Sequence, residues 1–209
     1  MAAPSPKVDV KKAISSYRAR AGIVEIVDVP VLRYLMIDGH GDPNTSVEYA
    51  DAVATLYPVA YTLKFASKQA GRDYVVPPLE ALWWAEDMDA FTSRRDKSAW
   101  DWTVMLMVPD WIGPDLVDAA VSTVADRKAP RSIDALRCRS LAEGTCVQTL
   151  HIGPYDAEAG TLSAMHHDFI PAHGLRMTGR HHEIYLNDVR RVAPQQLRTI
   201  LRQPVEKLG

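Results

Sequence analysis

The sequence is poor in cysteine, in clusters of one charge and in long apolar runs, and each shortage excludes a class of protein. Two cysteines among 209 residues are too few for a disulfide scaffold. The formal net charge is only -2 and the basic residues are scattered, so we expect no nucleic-acid partner. There is no apolar run of about 18 residues and no signal-peptide core, which favours a cytoplasmic protein without membrane contact.

Familiar catalytic and metal-binding motifs are also missing. The chain has no Gly-x-Ser-x-Gly elbow, no phosphate-binding glycine loop and no dinucleotide fingerprint. Seven histidines invite a metal interpretation, but His166 and His167, like His181 and His182, are adjacent and diverge on either a helix or a strand. We therefore expect neither a metal nor another cofactor.

The two cysteines leave two interpretations open. Cys138 and Cys146 are spaced so that they can face each other across a hairpin. In a reducing cytoplasm two free thiols are favoured, and neither residue lies in a pattern typical of a nucleophile.

What the chain does contain is a long imperfect repeat. With 47% hydrophobic residues it can bury a core as one domain over residues 1–209, within which residues 24–127 and 139–206 follow the same order. Each half reads as strand, turn, helix and two strands, with a trailing helix that in the second half spans 194–201. This predicts an α+β fold of two tandem β-α-β-β modules with a groove between them.

Two charged segments lie outside this pattern. The basic stretch 7–20 is either an arm for nucleic acid or a strap laid across the domain, and we favour the strap because apolar residues such as Val8, Val10 and Tyr17 interrupt the charge. The stretch 86–98 is predicted to be a charged loop between two strands.

One predicted strand carries an acid beside a phenol. Along His182 to Leu186, side chains alternate between faces, so Glu183 and Tyr185 share a face opposite Ile184. This face is either exposed to solvent or turned to a pocket, because a carboxylate is costly to bury without partners. Aligning the end of strand 103–108 with the end of strand 182–186 puts Met105 and Met107 at the matching positions, which predicts an apolar wall opposite an acidic one.

Aromatic residues are concentrated in the first half. Adjacent Trp83 and Trp84 must point to opposite faces of their strand, so at least one of them needs a place outside the main core. That place is either a flat wall of a ligand site or the underside of loop 86–98. The predicted ligand contacts are Trp83, Trp84, Trp100, Trp102, Trp111, Met105, Met107 and Tyr155.

Several segments together resemble the GyrI-like small-molecule-binding family, in particular its stand-alone subgroup. They are Leu35 to Asn44 (LMIDGHGDPN), Pro78 to Trp84 (PLEALWW), Trp100 to Thr103 (WDWT) and Glu183 to Asp188 (EIYLND) before Pro194. The resemblance covers nearly the whole chain. It implies two β-α-β-β modules related by a pseudo-twofold axis, with a ligand cleft between them.

The resemblance also implies a function. The family includes drug-sensing domains, a gyrase inhibitor and stand-alone hydrolases of cyclopropane-bearing DNA-alkylating compounds, and Glu183 matches the acid that meets cationic drugs in the sensors. This chain lacks a DNA-reading helix pair, which favours a stand-alone enzyme or a sequestering protein over a sensor. The leading expectation is a cofactor-free hydrolase of duocarmycin-like cyclopropanoids with Glu183 and Tyr185 as catalytic residues. The alternatives are a non-catalytic protein that binds planar or cationic drugs or modulates gyrase, and a pure interaction module.

Overall fold

The structure, a computed structural model, describes residues 6–86 and 96–209 as a mixed α+β fold. These residues form one antiparallel sheet, with the strand order β1-β6-β9-β8-β3-β4-β2-β5 and β7 paired to β9. The α+β prediction is confirmed, while most of the predicted loop 86–98 lies outside the described residues. The strands are β1 Glu25–Val29, β2 Leu32–His40, β3 Leu79–Trp84, β4 Asp101–Val108, β5 Arg137–Leu141, β6 Gly144–Ile152, β7 Leu175–Met177, β8 His181–Tyr185 and β9 Arg198–Lys207.

The two main helices begin at residues that favour a helix start. Ser46 accepts a hydrogen bond from the Tyr49 amide and so caps helix α2 (Val47–Gln69), which contains Pro58. A proline at the first helical position starts helix α3 (Pro114–Lys128). The helical segments are α1 Val10–Ala13, α2 Val47–Gln69, α3 Pro114–Lys128, α4 Ala159–Ser163, a π-helical segment Ala164–Phe169 and α5 Ile170–Ala172.

Two β-α-β-β units follow each other along the chain. In the first, β4 lies between β2 and β3, and in the second, β9 lies between β6 and β8. The innermost strands, β3 and β8, pair antiparallel and join the two units into one sheet.

This arrangement corrects two expectations. Residues 194–201 are not a helix, because the turn Pro194–Gln196 leads into β9, which supplies the pairing that β6 and β8 both need. The strand that matches β8 is β3, since both are innermost, and not β4 as the alignment of strand ends suggested.

Short connections force the sheet to curl. Strands β1 and β2 lie six strand spacings apart, about 29 Å in a flat sheet, at about 4.8 Å per spacing. Only Pro30 and Val31 separate them, and a link from Val29 to Leu32 reaches about 11 Å at most. The edges of the sheet must therefore approach each other.

The curled sheet has two differently covered faces. On the helix-covered face, α2 packs over β2 and β4 while the π-helical segment packs on β6. On the strap-covered face, Val10 and Tyr17 of the strap (residues 7–20) pack against apolar residues of both units. The strap prediction is confirmed, and this segment lies on the face opposite to the helices.

The cysteines do not face each other. Cys138 lies on β5, which pairs with β2, whereas Cys146 lies on β6, which pairs with β1 and β9. Both thiols are free, so the hairpin interpretation is wrong. Within the described ranges, no helix is both apolar enough and long enough to cross a membrane.

Candidate active site

The central strands carry the candidate catalytic residues on the helix-covered face. In the β3–β8 register Glu183 pairs with Ala81 and His181 with Trp83, so these four side chains share one face with Tyr185. They form the floor of the cleft, by which we mean the strip over β3 and β8 between α2 and the π-helical segment. Glu183 is only 8% exposed, so the solvent-exposed interpretation of this face is wrong.

A chain of hydrogen bonds fixes the acid. The Trp83 indole donates from Nε1 to the Tyr185 oxygen at 3.0 Å, and the Tyr185 hydroxyl donates to Glu183 Oε2 at 2.7 Å. Burial, followed by the charge of Glu183, raises the pKa of Tyr185 well above its ordinary value, so the phenol remains a donor. His181 Nε2 lies 3.6 Å from the other oxygen, Glu183 Oε1.

Aromatic rings line the first-unit side of the cleft. Tyr49 of α2 stacks on Trp83 with ring centroids 6.1 Å apart and meets the Trp102 ring edge-on at 5.1 Å. Trp100 also contacts Trp83, at 5.6 Å. Tyr155 comes from the other unit and meets Tyr185 edge-on at 5.4 Å. The structure thus brings together six of the predicted residues: Glu183, Tyr185, Trp83, Trp100, Trp102 and Tyr155.

A second carboxylate and a histidine lie on the second-unit side. Glu158 is 4% exposed, and its charge contributes to the raised pKa values of both Tyr155 and Tyr185. The His166 ring meets the His181 ring edge-on at 5.7 Å. Burial, reinforced by His181 and His167, lowers the pKa of His166 to about 3, so this imidazole is neutral near pH 7.

Four predicted ligand contacts lie elsewhere. Met105 pairs with Glu80, whereas Glu183 pairs with the next residue of the same strand, Ala81. Since neighbouring residues of a strand point to opposite faces, Met105, and with it Met107, is on the strap-covered face. The prediction of a methionine wall facing Glu183 is therefore wrong. Trp84 is on the same strap-covered face, with the Arg180 guanidinium 3.5 Å above its ring, as expected for the neighbour of inward-facing Trp83.

Trp111 and Met107 belong to another region. The Trp111 indole donates to Ser67 at the far end of α2, at 3.0 Å, and stands edge-on to Tyr74. Both residues line a separate groove of about 490 Å³ between the strap and the ends of β2 and β4. This groove contains neither Glu183 nor Tyr185.

Sequence reasoning missed four residues of the cleft: Tyr49, Glu158, His166 and His181. His181 was within reach of the strand pattern, because it is two residues before Glu183 and shares its face. Glu158 and His166 gave no such signal, since Glu158 lies just before helix α4 and the direction of His166 depends on the π-helical segment. Among the described residues, no group of three or more His, Cys, Asp or Glu side chains could hold a metal ion.

The arrangement suits a flat ligand and a proton transfer. Tyr185 occupies one oxygen of Glu183, which leaves the other oxygen to accept a proton from water or to meet a positive charge. Beside it, the partly exposed rings of Tyr49 and Tyr155 pack against the rings of Trp83 and Tyr185. Fold and site together define a small-molecule-binding α+β domain.

The chain belongs to the GyrI-like small-molecule-binding domain family, whose profile matches residues 24–206. A structure of an uncharacterized conserved protein from Listeria innocua is 37% identical, covers 96% of this chain and all of its own, and has a TM-score of 0.87. A structure of a hydrolase from Listeria innocua is 36% identical over the same shares, with a TM-score of 0.81.

More distant structures share the fold alone. The EcmrR C-terminal domain is 11% identical, with a TM-score of 0.56, over 88% of this chain and 98% of its own. No curated protein matches the chain.

Proposed function

We propose that the protein is a cofactor-independent hydrolase that opens the cyclopropane ring of genotoxic, duocarmycin-like compounds by adding water, and so detoxifies them in the cytoplasm. The observation that carries this proposal is the chain Trp83–Tyr185–Glu183 on the floor of an aromatic cleft. The similarity to the hydrolase from Listeria innocua supports the reaction type. The resemblance to cyclopropanoid hydrolases supports the substrate.

The reaction needs one base and a place for negative charge. Glu183 takes a proton from water while the water oxygen bonds to the cyclopropane methylene carbon. The ring C–C bond breaks, and its electron pair moves through the conjugated dienone to the carbonyl oxygen. That oxygen then takes a proton from solvent, and Glu183 returns its proton to solvent. The product is therefore the substrate plus one water, and the protein is unchanged.

Tyr185, Glu183 and Trp83 each have a role in this scheme. Tyr185 holds Glu183 Oε2 at 2.7 Å, which leaves Oε1 as the oxygen that takes the proton from water. Trp83 in turn fixes the phenol through its indole N–H. The partly exposed rings of Tyr49 and Tyr155 hold the flat part of the substrate, with the buried rings of Trp83, Trp100 and Trp102 behind them.

Replacing the base tests the proposal. We expect wild-type protein to convert a cyclopropane-bearing duocarmycin analogue to its water adduct. The conversion is measured by chromatography and mass spectrometry. Glu183→Gln should lower the rate by about 10²- to 10⁴-fold, because it removes general-base catalysis, while substrate binding changes little. The control Glu206→Gln alters an exposed glutamate of β9 and should retain full activity. Unconverted substrate with wild-type protein, or full activity in Glu183→Gln, would refute the proposal.

The second candidate is binding without turnover. Two carboxylates, Glu183 and Glu158, lie beside aromatic rings, and this combination also suits a planar cation. Product formation separates the two functions. A cationic dye that binds wild-type protein, binds Glu183→Gln more weakly and accompanies no conversion of the cyclopropane compound would favour a sequestering protein.

A further inference from the structure

A π-helical segment forms the second-unit wall of the cleft. The Ile170 amide donates to the Met165 carbonyl, five residues back rather than four. The next residue, Pro171, has no amide hydrogen to restore the α-helical pattern. Such segments are rare and often occur at functional sites, because the wider turn redirects the side chains along the helix.

The side chain that this segment turns inward is His166. It is only 6% exposed, and its Nε2 has no hydrogen-bond partner among the described residues. The His166 ring meets the ring of His181, whose Nε2 is 3.6 Å from Glu183. The unpartnered nitrogen therefore lies at the end of the cleft that holds the acid.

A buried polar atom without a partner is costly, since it has lost water and gained nothing in exchange. A neutral imidazole offers either an N–H or a lone pair at Nε2, and the lowered pKa of His166 keeps it neutral. A ligand atom that completes this hydrogen bond recovers the loss. An uncharged oxygen or nitrogen suits the position without burying a further charge.

We propose that His166 is a specificity-determining residue that hydrogen-bonds an uncharged oxygen or nitrogen of the ligand and so favours flat, heteroatom-bearing molecules over hydrocarbons of the same shape. The inference rests on the proposed function only in using the same cleft. It requires ligand binding but does not depend on turnover of the ligand.

Two flat probes of similar shape test this inference. Acridone carries a carbonyl acceptor and an N–H donor, whereas anthracene carries neither. Binding is measured by quenching of tryptophan fluorescence. We expect wild-type protein to bind acridone about tenfold more tightly than anthracene, since a tenfold difference corresponds to a recovered buried hydrogen bond of about 1.4 kcal/mol. His166→Phe should remove this preference by weakening acridone binding, while anthracene binding stays the same.

Matched variants separate the hydrogen bond from packing. His166→Gln restores a hydrogen-bonding group and should keep part of the preference, and it also serves if His166→Phe does not fold. His167→Phe makes the same change at the exposed neighbouring residue and should bind both probes like wild type. The inference would be overturned if wild-type protein bound neither probe or showed no preference for acridone. It would also be overturned if folded His166→Phe kept the full preference, or if His167→Phe lost it completely. Failure of the cyclopropane assay alone would not, because probe binding is measured without conversion.

Discussion

At the scale of residues, the site depends on partners that only strand pairing brings together. Glu183 and Tyr185 were predictable as a pair, because alternation along one strand puts them on one face. Trp83, which holds Tyr185 through its indole, comes from a strand about a hundred residues earlier. Its role required the β3–β8 register, which local sequence does not specify.

Gly39 illustrates the same dependence in the wall of the cleft. It pairs with Trp102 in the β2–β4 register, and the Trp102 indole lies over it. A Cβ atom at this position would overlap with the six-membered ring of the Trp102 indole. Only glycine leaves room for the ring, which explains a glycine inside a strand.

Gly39→Ala should therefore destabilise the protein. We expect the free energy of unfolding, measured by denaturant titration, to fall by about 1–3 kcal/mol, because the indole must shift in a packed core. Gly160→Ala is the matched control, since a methyl group there would meet nothing within 4 Å and alanine favours a helix. Equal stability of the Gly39→Ala variant and wild type would contradict the packing described for Trp102.

At the scale of elements, a buried ionic network ties the strap to the central strands. His182 lies between Glu80 and Glu143, at 3.0 and 2.9 Å, and Arg202 donates to Glu143 at 3.0 Å. From the strap, Tyr17 donates to Glu80, while Arg202 also donates to the Ser16 carbonyl. The network lies directly behind the strand that carries Glu183, so it holds both β8 and the strap in position.

This network predicts a pH dependence of stability. Burial alone lowers the pKa of His182, but Glu143 and Glu80 outweigh it and raise the pKa above 6.5. The stabilisation is fully present below pH 6.5 and is lost as the pH rises through the raised folded-state pKa. Denaturant titrations of the wild-type protein, from below pH 6.5 to above the folded-state pKa of His182, should show a decrease in unfolding free energy. This decrease should be absent from His182→Gln.

The same variant should also be less stable at neutral pH, by about 3 kcal/mol, because it removes the buried cation that lies between Glu80 and Glu143. His173→Gln, at an exposed histidine, provides the control and should keep the wild-type pH profile. An identical decrease in wild type and His182→Gln would show that His182 is not the titrating group.

Elements differed in how far the sequence specified them. Helix α2 has its signals close together, with a Ser46 cap and an apolar spacing, and it was predictable. Strand β9 was not, because Pro194 suggested a helix start and the buried Arg202 disguised the alternation of the strand. Its conformation is determined by pairing with β6 and β8, which are distant in sequence.

At the scale of the whole molecule, the two faces of the sheet separate two tasks. On the strap-covered face, apolar packing and the ionic network hold the strap, and Met105 and Met107 belong to this face. The helix-covered face carries Glu183, Tyr185 and the rings that predict ligand binding. The repeat in the sequence pointed to a groove between two units, but the choice of face came from the register.

The position of a bound substrate tests this account most directly. A crystal structure of Glu183→Gln with the unreacted cyclopropane compound should show the compound stacked on Trp83 and Tyr49, over β3 and β8. The cyclopropane methylene should lie within reach of position 183 through one water, with about 2.6–3.2 Å for each hydrogen bond. A compound bound only in the groove beside Met107 and Trp111, with the cleft empty, would contradict the account.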